Sequence, residues 1–339
     1  MDKKASVRDV AREAGVSIGS VSRALNGGTY VSPELAAKVL AAVEKLGYRP
    51  DANARNLRTG SSKTIGCLIP DISNPLYATY VSAIETHLQE NGYMLLLGNT
   101  KGSSIREQEL MRIFVSRGMD GIVATPINDA DSATVDVFAQ CQLPLVILDR
   151  DLSIERDVIA VDHRAGIRKA IDYLFSLGHE RIALFTPGAH IRPGRERIAG
   201  YHEAYAAAGR NADPGLIKEI NPRLLSSYGD MKTLLESAAP PTALIGLGTR
   251  ILSAAMRAAY DAGLSIPRDL SVIAIGTPST LEFAYPPMTM LRFDLEDHGR
   301  VAAELILDRI KLRDSVPYRR IVKPMELVLA NSCAAPRSI

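Results

Sequence analysis

Two groups of residues in this chain could do chemistry, and both suit binding better than turnover. The first lies in the string VRDVAREAGVSIGSVSRALN, Val7 to Asn26. Val7, Val10, Ala11 and Ala14 recur at helical spacing, Gly15-Val16-Ser17 interrupts, and Val21, Ala24 and Leu25 resume the period. Those apolar positions must pack together, which turns Ile18, Gly19, Ser22 and Arg23 outward. Two short helices joined by such a turn make a helix-turn-helix, whose second helix enters the major groove of DNA. The second group is Arg192, Arg195, Arg197 and Arg250, with Arg150 earlier in the chain. Guanidinium groups grip carboxylates and phosphates through planar, charge-assisted hydrogen bonds.

No catalytic set stands beside them. His87, His163, His179, His190, His202 and His298 show neither HExxH nor paired metal spacing. Gly246-Leu247-Gly248 lacks the third glycine of a dinucleotide fingerprint. Cys67, Cys141 and Cys333 are odd in number and scattered, which fits a reducing compartment and neither a disulfide framework nor a zinc site. No metal and no cofactor is expected. Residues 1–63 hold 11 basic against 6 acidic residues, and the rest holds 29 against 32. A small basic head on a mildly acidic body suits a phosphate-binding module on a sensor. Arg8, Asp9, Arg12 and Glu13 interrupt the first thirty residues, and no apolar run approaches the ~20 residues of a membrane span. A cytoplasmic protein without membrane contact is expected.

The elements that position these groups can be read in order. Ser6 stands three residues before Asp9 and can cap the first helix; Gly15 suits the turn, and Ser17 can cap the second helix. Gly27-Gly28-Thr29 makes a loop, and Ser32-Pro33 opens a third helix whose Leu35, Val39, Ala42, Val43 and Leu46 close a small core before Gly47. In the connection YRPDANARNLRTGSSK, Pro50 breaks the preceding helix and Gly60-Ser61-Ser62 is flexible. DANARNLR between them allows about two helical turns, marginal alone in water. From Thr64, apolar runs (Ile65–Ile69, Tyr93–Leu97, Gly121–Ala124, Leu145–Leu148, Ile182–Phe185, Ala243–Leu247, Leu270–Ile275, Ile321–Leu329) alternate with amphipathic segments such as Tyr77–Glu90 and Ala165–Leu177. Gly92, Gly118, Gly178, Gly209 and Gly263 stop those helices. This succession predicts an α/β fold with parallel sheets covered on both faces.

The string DVAREAGVSIGSVSRALN resembles the DNA-binding headpiece of the lactose-repressor family of bacterial transcription regulators. Its Asp-Val-Ala, Ala-Gly-Val-Ser, Val-Ser-Arg and Leu-Asn blocks stand at that family's spacing. Ile69-Pro70-Asp71-Ile72-Ser73-Asn74-Pro75, Gly118–Gly121, Leu177-Gly178-His179-Glu180-Arg181-Ile182 and Ala199-Gly200-Tyr201 extend the likeness over nearly the whole chain. The resemblance implies a two-lobed core like a periplasmic sugar-binding protein, with a ligand cleft between lobes and chain crossings near residues 163, 293 and 323. The expected domains are 1–48, the headpiece; 49–63, hinge helix and linker; and 64–339, the core. Lobe 1 spans about 64–163 and 293–323, and lobe 2 about 164–292 and 324–335.

Site roles follow from the same resemblance. Positions matching Ile18, Gly19 and Arg23 read base edges, and an arginine bidentate to guanine is worth about 1–3 kcal/mol of discrimination. A hydrogen-bonding side chain often stands where this chain has Gly19, so less direct readout is expected there. Ser6, Ser17, Ser22 and Asn26 suit phosphates, which position without specifying. Ala54-Arg55-Asn56-Leu57 matches a hinge helix that folds on operator DNA. Leu57 would wedge into the minor groove, with Arg55 and Arg58 on phosphates. For the effector, Leu76, Tyr77, Thr125, Asp149 and Arg150 follow strand ends, and Arg197 matches an arginine that commonly grips the ligand. Sugar-responsive relatives carry acidic residues after two strands where this chain has Gly248-Thr249 and Gly276-Thr277. With those acceptors gone and Arg192, Arg195, Arg197 and Arg250 added, an anionic effector is expected: a sugar acid, another carboxylate or a sugar phosphate.

The expected protein is therefore a dimeric, effector-controlled DNA-binding regulator, most simply a repressor. The tail SCAAPRSI carries no leucine heptad, so the four-chain assembly of some relatives is not expected. Two readings compete. A transporter's solute-binding protein would have a signal peptide and no headpiece, and an enzyme on the same fold would need a nucleophile motif.

Overall fold

Local chemistry starts the first helix where the sequence places a cap. In this computed structural model, which describes residues 5–25, 31–49, 60–220, 227–248, 250–276 and 284–337, the chain forms two compact units, 1–62 and 63–339. The first unit holds helices α1 (Val7–Ala14), α2 (Ile18–Leu25) and α3 (Pro33–Lys45). Ser6 Oγ accepts the Asp9 N–H at 3.4 Å and the Asp9 carboxylate accepts the Ser6 N–H at 3.0 Å, a reciprocal cap worth about 1 kcal/mol. Gly15 ends α1 at φ 66°, and Ser17 Oγ accepts the Ser20 N–H at 3.1 Å to start α2. Val10, Ala11, Val21, Val39 and Ala42 form the buried centre of the three helices.

The second unit contains two six-stranded sheets. One has the order β11-β5-β4-β3-β1-β2, built from β1 (Thr64–Ile69), β2 (Met94–Asn99), β3 (Gly121–Ala124), β4 (Leu145–Leu148), β5 (Asp157–Val161) and β11 (Arg320–Lys323). All its pairings are parallel. The other has the order β12-β10-β9-β8-β6-β7, from β6 (Ile182–Thr186), β7 (Ile217–Glu219), β8 (Ala243–Leu247), β9 (Ser271–Gly276), β10 (Thr289–Arg292) and β12 (Glu326–Val328). Helices α4 (Pro75–Glu90), α5 (Ser104–Ser116), α6 (Ser132–Ala139), α7 (His163–Ser176), α8 (Arg192–Ala207), α9 (Ser227–Leu235), α10 (Arg250–Asp261) and α11 (Leu295–Leu312) cover them.

Strand alternation sorts the first lobe into two cores. Ile65, Cys67 and Ile69 pack with α4 and α11 through Ile84, Leu88, Ala302 and Ile306. Leu68, Ile122 and Ile147 point the other way, onto Met111 and Phe114 of α5 and Phe138 of α6. Gly66 makes that second layer possible, because a Cβ there would lie 2.4 Å from the Phe114 ring. Burial on both faces explains why these strands read as continuous apolar runs.

Two features differ from the sequence reading. Ile321–Leu329, taken as one run, is two strands in different sheets, β11 parallel to β5 and β12 antiparallel to β10. Pro324 between them has no N–H to donate, which ends one ladder before the other begins. β5, β7 and β10 are also strands that the apolar runs left out. The chain passes between the sheets after β5, after β10 and after β11. The C-terminal strand ends of both lobes therefore face one cleft.

Candidate functional sites

Asn74 begins the cleft. Its Oδ1 accepts the Leu76 N–H at 3.1 Å, starting α4 with Leu76 and Tyr77 at the end of the first strand's loop. Leu76, Tyr77, Thr125, Asp149, Arg150 and Arg197 then line one cavity of about 60 Å³ between the lobes. Six of the residues expected from sequence thus come together.

Asp149 is the hub. It stands just past β4 with φ 49°, a left-handed conformation that costs a non-glycine residue about 1–3 kcal/mol. Three donors hold it there: the Val161 N–H at 3.1 Å, His163 Nε2 at 2.8 Å and Arg192 Nη1 at 3.1 Å. Burial opposes its charge, but the neighbouring His163, Arg192 and Arg150 outweigh burial and hold the carboxyl well below the usual range. His163 is buried, which pushes its pKa down to about 4 against the pull of Asp149. Neutral His163 donates from Nε2 to Asp149, leaving Nδ1 to accept from Arg197 Nη2 at 3.4 Å.

The five arginines do different things. Arg192 Nη1 also donates to Val161 O at 2.8 Å, Arg195 Nη1 donates to Asp129 at 2.8 Å, and Arg250 Nη2 donates to Asp71 at 2.6 Å. Each of these ion pairs joins a second-lobe helix to a first-lobe loop. Asp129 does more, accepting the Arg192 N–H at 3.0 Å and the Asp151 N–H at 2.8 Å. Ile191 supplies no side-chain cap to α8, so a carboxylate from the other lobe caps that helix. Arg150 is pinned by Pro126 O at 2.7 Å, Asp149 O at 2.9 Å and Tyr77 Oη at 3.4 Å.

Arg197 is the exception. It is 3 % exposed, and neither Nε nor Nη1 has a hydrogen-bond partner among the described residues. Burial brings its pKa down to about 10. Thr125 Oγ1, on the opposite lobe, is buried and unpartnered too. Gly200 helps set Arg197 deep, because a Cβ there would lie 2.5 Å from Arg164 O on α7. A wider groove of about 1040 Å³ runs along residues 292–296 and 324–327, but among the described residues no buried polar atom there lacks a partner. Among the described residues, the chemistry of binding points to the cleft.

Asp71, Asp129, His163 and Glu107 were given no site role by the sequence reading. Asp129 lies 66 residues from Arg195, and no local pattern joins them. Glu107 of α5 is buried and accepts the Ile127 N–H at 3.0 Å from the loop that carries Asp129. Burial raises its pKa to about 7, with Asp131 adding to the rise and the Ile127 N–H and Arg150 opposing it. The folded state therefore holds this proton more tightly than the unfolded state. Stability from this group is greatest near pH 4.5 and falls as pH rises towards 7, by at most about 3 kcal/mol. Glu107→Gln keeps the acceptor and removes the titration. It is expected to raise the melting temperature at pH 8 and to change it little at pH 5; equal shifts at both would show that Glu107 ionises freely.

In the first unit, Ile18 is 47 % exposed, Gly19 and Arg23 are exposed, and Val21 is wholly buried. The outward face of α2 is thus the one expected to read DNA. Arg23 Nε donates to Gly19 O at 3.3 Å. A Cβ on Gly19 would meet only Ser17 Oγ, at 3.7 Å, so packing does not require glycine there. Asn26, Arg55, Leu57, Arg58, Thr249 and Thr277 lie outside the described residues. Among the described residues, no group of three His, Cys, Asp or Glu could hold a metal, and no helix is long and apolar enough to cross a membrane.

Residues 6–51 match the model of bacterial regulatory proteins of the lacI family, and residues 171–333 match a periplasmic binding protein-like domain. The chain is 30 % identical to the HTH-type transcriptional repressor PurR of Photobacterium profundum, over 97 % of this chain and 98 % of that protein. It is also 30 % identical to a ribose operon repressor of Haemophilus influenzae, again over 97 % and 98 %. Among solved structures, the transcriptional regulator CelR in complex with cellobiose is 27 % identical with a TM-score of 0.73, covering 97 % of this chain and 99 % of that one. A lac repressor dimer bound to operator shares the fold with a TM-score of 0.87 at 24 % identity, over 98 % and 100 %. With an outward-facing α2 ahead of a two-lobed ligand cleft, and relatives matched from end to end, the chain belongs to the lacI family and is a ligand-controlled, DNA-binding transcriptional regulator rather than an enzyme.

Proposed function

We propose that this regulator is a homodimeric cytoplasmic repressor, released from or driven onto operator DNA by an anionic effector held at Arg197. The observation that carries the effector class is the buried Arg197 guanidinium with Nε and Nη1 unpartnered. Asp149 and Asp129 already neutralise Arg192 and Arg195, which leaves Arg150 and Arg197 with no ion pair of their own among the described residues. An excess of buried positive charge favours a ligand that brings negative charge. Relatives named for ribose or cellobiose favour a neutral sugar instead. Gly248 and Gly276, standing where sugar-responsive members carry acids, count against that alternative.

The test is a thermal-shift panel on the full chain, using ribose and cellobiose, gluconate, glucose 6-phosphate and simple carboxylates. A ligand at about 100 times its Kd adds roughly 2.7 kcal/mol of stability. Stabilisation by anions alone is the expected result. Stabilisation by ribose or cellobiose alone would remove the anionic reading.

DNA contact is assigned to Ser6, Ser17, Ile18, Gly19, Ser22, Arg23 and Asn26 of the headpiece, and to Arg55, Leu57 and Arg58 of the linker. Leu57→Ala is expected to weaken operator binding tenfold or more, roughly 1.4 kcal/mol. Binding to unrelated DNA, carried by phosphates, should stay within about twofold. Titrations of both DNAs at one salt concentration measure this; equal losses on both would take the wedge out of the account.

For the dimer, β2 is an edge strand with Met94 66 % exposed and Leu96 exposed, and α5 beside it leaves Ile105 70 % exposed. A row of unpaired backbone beside apolar side chains suits a second copy of the same chain. A sedimenting mass of one chain at micromolar concentration would oppose it.

A further inference from the structure

We propose that the effector is a compact carboxylate with an apolar body, and neither a polyhydroxylated sugar nor its acid or phosphate. This rests on the anionic reading above and narrows it. Much of the cleft wall is hydrocarbon, from Leu76, Leu148, Ile191, Leu247 and Phe293. The main acceptors between them are already used. Asp149 accepts three hydrogen bonds, Arg150 donates three to protein oxygens, and Asn74 Oδ1 caps α4. Among the described residues, Arg197 Nε and Nη1 and Thr125 Oγ1 are the buried side-chain atoms of the cleft that lack a partner.

Unmet donors gathered at Arg197, with Thr125 Oγ1 across from them, suit one anionic group. Sugar hydroxyls must donate as well as accept, and Asp149, the one carboxylate among the described residues that line the cavity, is occupied from three sides. Each hexose hydroxyl buried there without an acceptor would cost about 1–3 kcal/mol. A hydrocarbon body on the same walls gains instead, at about 25 cal/mol per Å² of apolar surface.

Size points the same way. The cavity of about 60 Å³ is smaller than the roughly 150 Å³ engineered cavity that takes benzene. Two ion pairs of the chain, Arg192 to Asp149 and Arg195 to Asp129, tie the lobes together beside it. A larger ligand has to break those pairs to open the lobes. A short acid can sit with its carboxylate at Arg197 and its chain against Leu76 and Leu247 while the pairs stay intact.

The experiment uses the full chain with propionate, butyrate and 3-methylbutyrate, each beside its uncharged amide, and with gluconate, glucose 6-phosphate and ribose. We expect a saturable rise in melting temperature with at least one hydrocarbon acid, no rise with its amide, and a negative heat-capacity change of binding by calorimetry. Arg197→Gln should lower affinity for that acid at least tenfold, with Arg197→Lys recovering part of it. The acid–amide comparison needs no variant, so it stands even if a variant folds poorly. If gluconate or glucose 6-phosphate stabilises the protein and no hydrocarbon acid does, this inference is overturned and the anionic reading survives. Stabilisation by ribose alone overturns both.

Discussion

Arg309→Leu is expected to cost the core about 3–5 kcal/mol of stability, because it breaks a buried pair and leaves one charge behind. Arg309 Nε and Nη2 donate to the two Asp157 carboxylate oxygens at 2.7 and 3.1 Å. Its remaining N–H groups hold Arg313 O, Val316 O and Pro317 O at 2.7 to 3.0 Å, fixing the turn into β11. The guanidinium also lies 4.4 Å from the Tyr318 ring. Without Arg309, the wholly buried Asp157 side chain keeps the Arg319 N–H at 2.8 Å and the Arg319 guanidinium at 3.6 Å. Chemical denaturation of the variant should show an earlier midpoint, and Arg309→Leu with Asp157→Leu should recover part of the loss. A midpoint within error of the parent would mean that the pair does not hold this sheet edge.

Arg197→Met is expected to act in the opposite direction, raising the stability of the ligand-free protein by about 1–3 kcal/mol. Both arginines are 3 % exposed, yet Arg309 uses every N–H and Arg197 leaves two donors unpaired. The sign follows from the proton balance. Burial depresses the folded-state pKa of Arg197 to about 10, so the fold disfavours the charged form. That cost is present throughout the range below pH 10 and fades only as pH rises beyond it. Methionine fills the same channel without a charge to desolvate. The same substitution should abolish the thermal response to anions, a trade of stability for function that binding sites commonly show. Melting curves with and without ligand at pH 7 decide it. A variant that melts several degrees lower would mean that the guanidinium is satisfied by the protein itself, and that the cleft is not held open for an anion.

Much of the scaffold was legible because its signals are local. The caps at Ser6 and Ser17 and the turn at Gly15 form between residues three or four apart. Gly92, Gly118, Gly178, Gly209 and Gly263, read as helix stops, all adopt positive φ. β5 was passed over because it opens on Asp157, a charge that looks out of place in a buried strand. Its partner Arg309 lies 152 residues away, so nothing nearby marks the strand as core. β7 is three residues long, too short for a period to register, and β10 is only four.

By itself, the sequence determined a helix-turn-helix with Arg23 on its outer face, an α/β core of parallel sheets, and an arginine-rich stretch from 192 to 197. Helical period, strand period and capping are set by neighbours in the chain, and these features need no others. Only the tertiary structure decided what the arginines do. It set Asp149 against Arg192, Asp129 against Arg195 and Asp71 against Arg250. It sealed Arg197 behind His163 and apolar walls with two donors unmet. A side chain carries its charge wherever it stands in sequence. Whether that charge is neutralised or kept for a ligand depends on which distant groups the fold brings within about 3 Å of it.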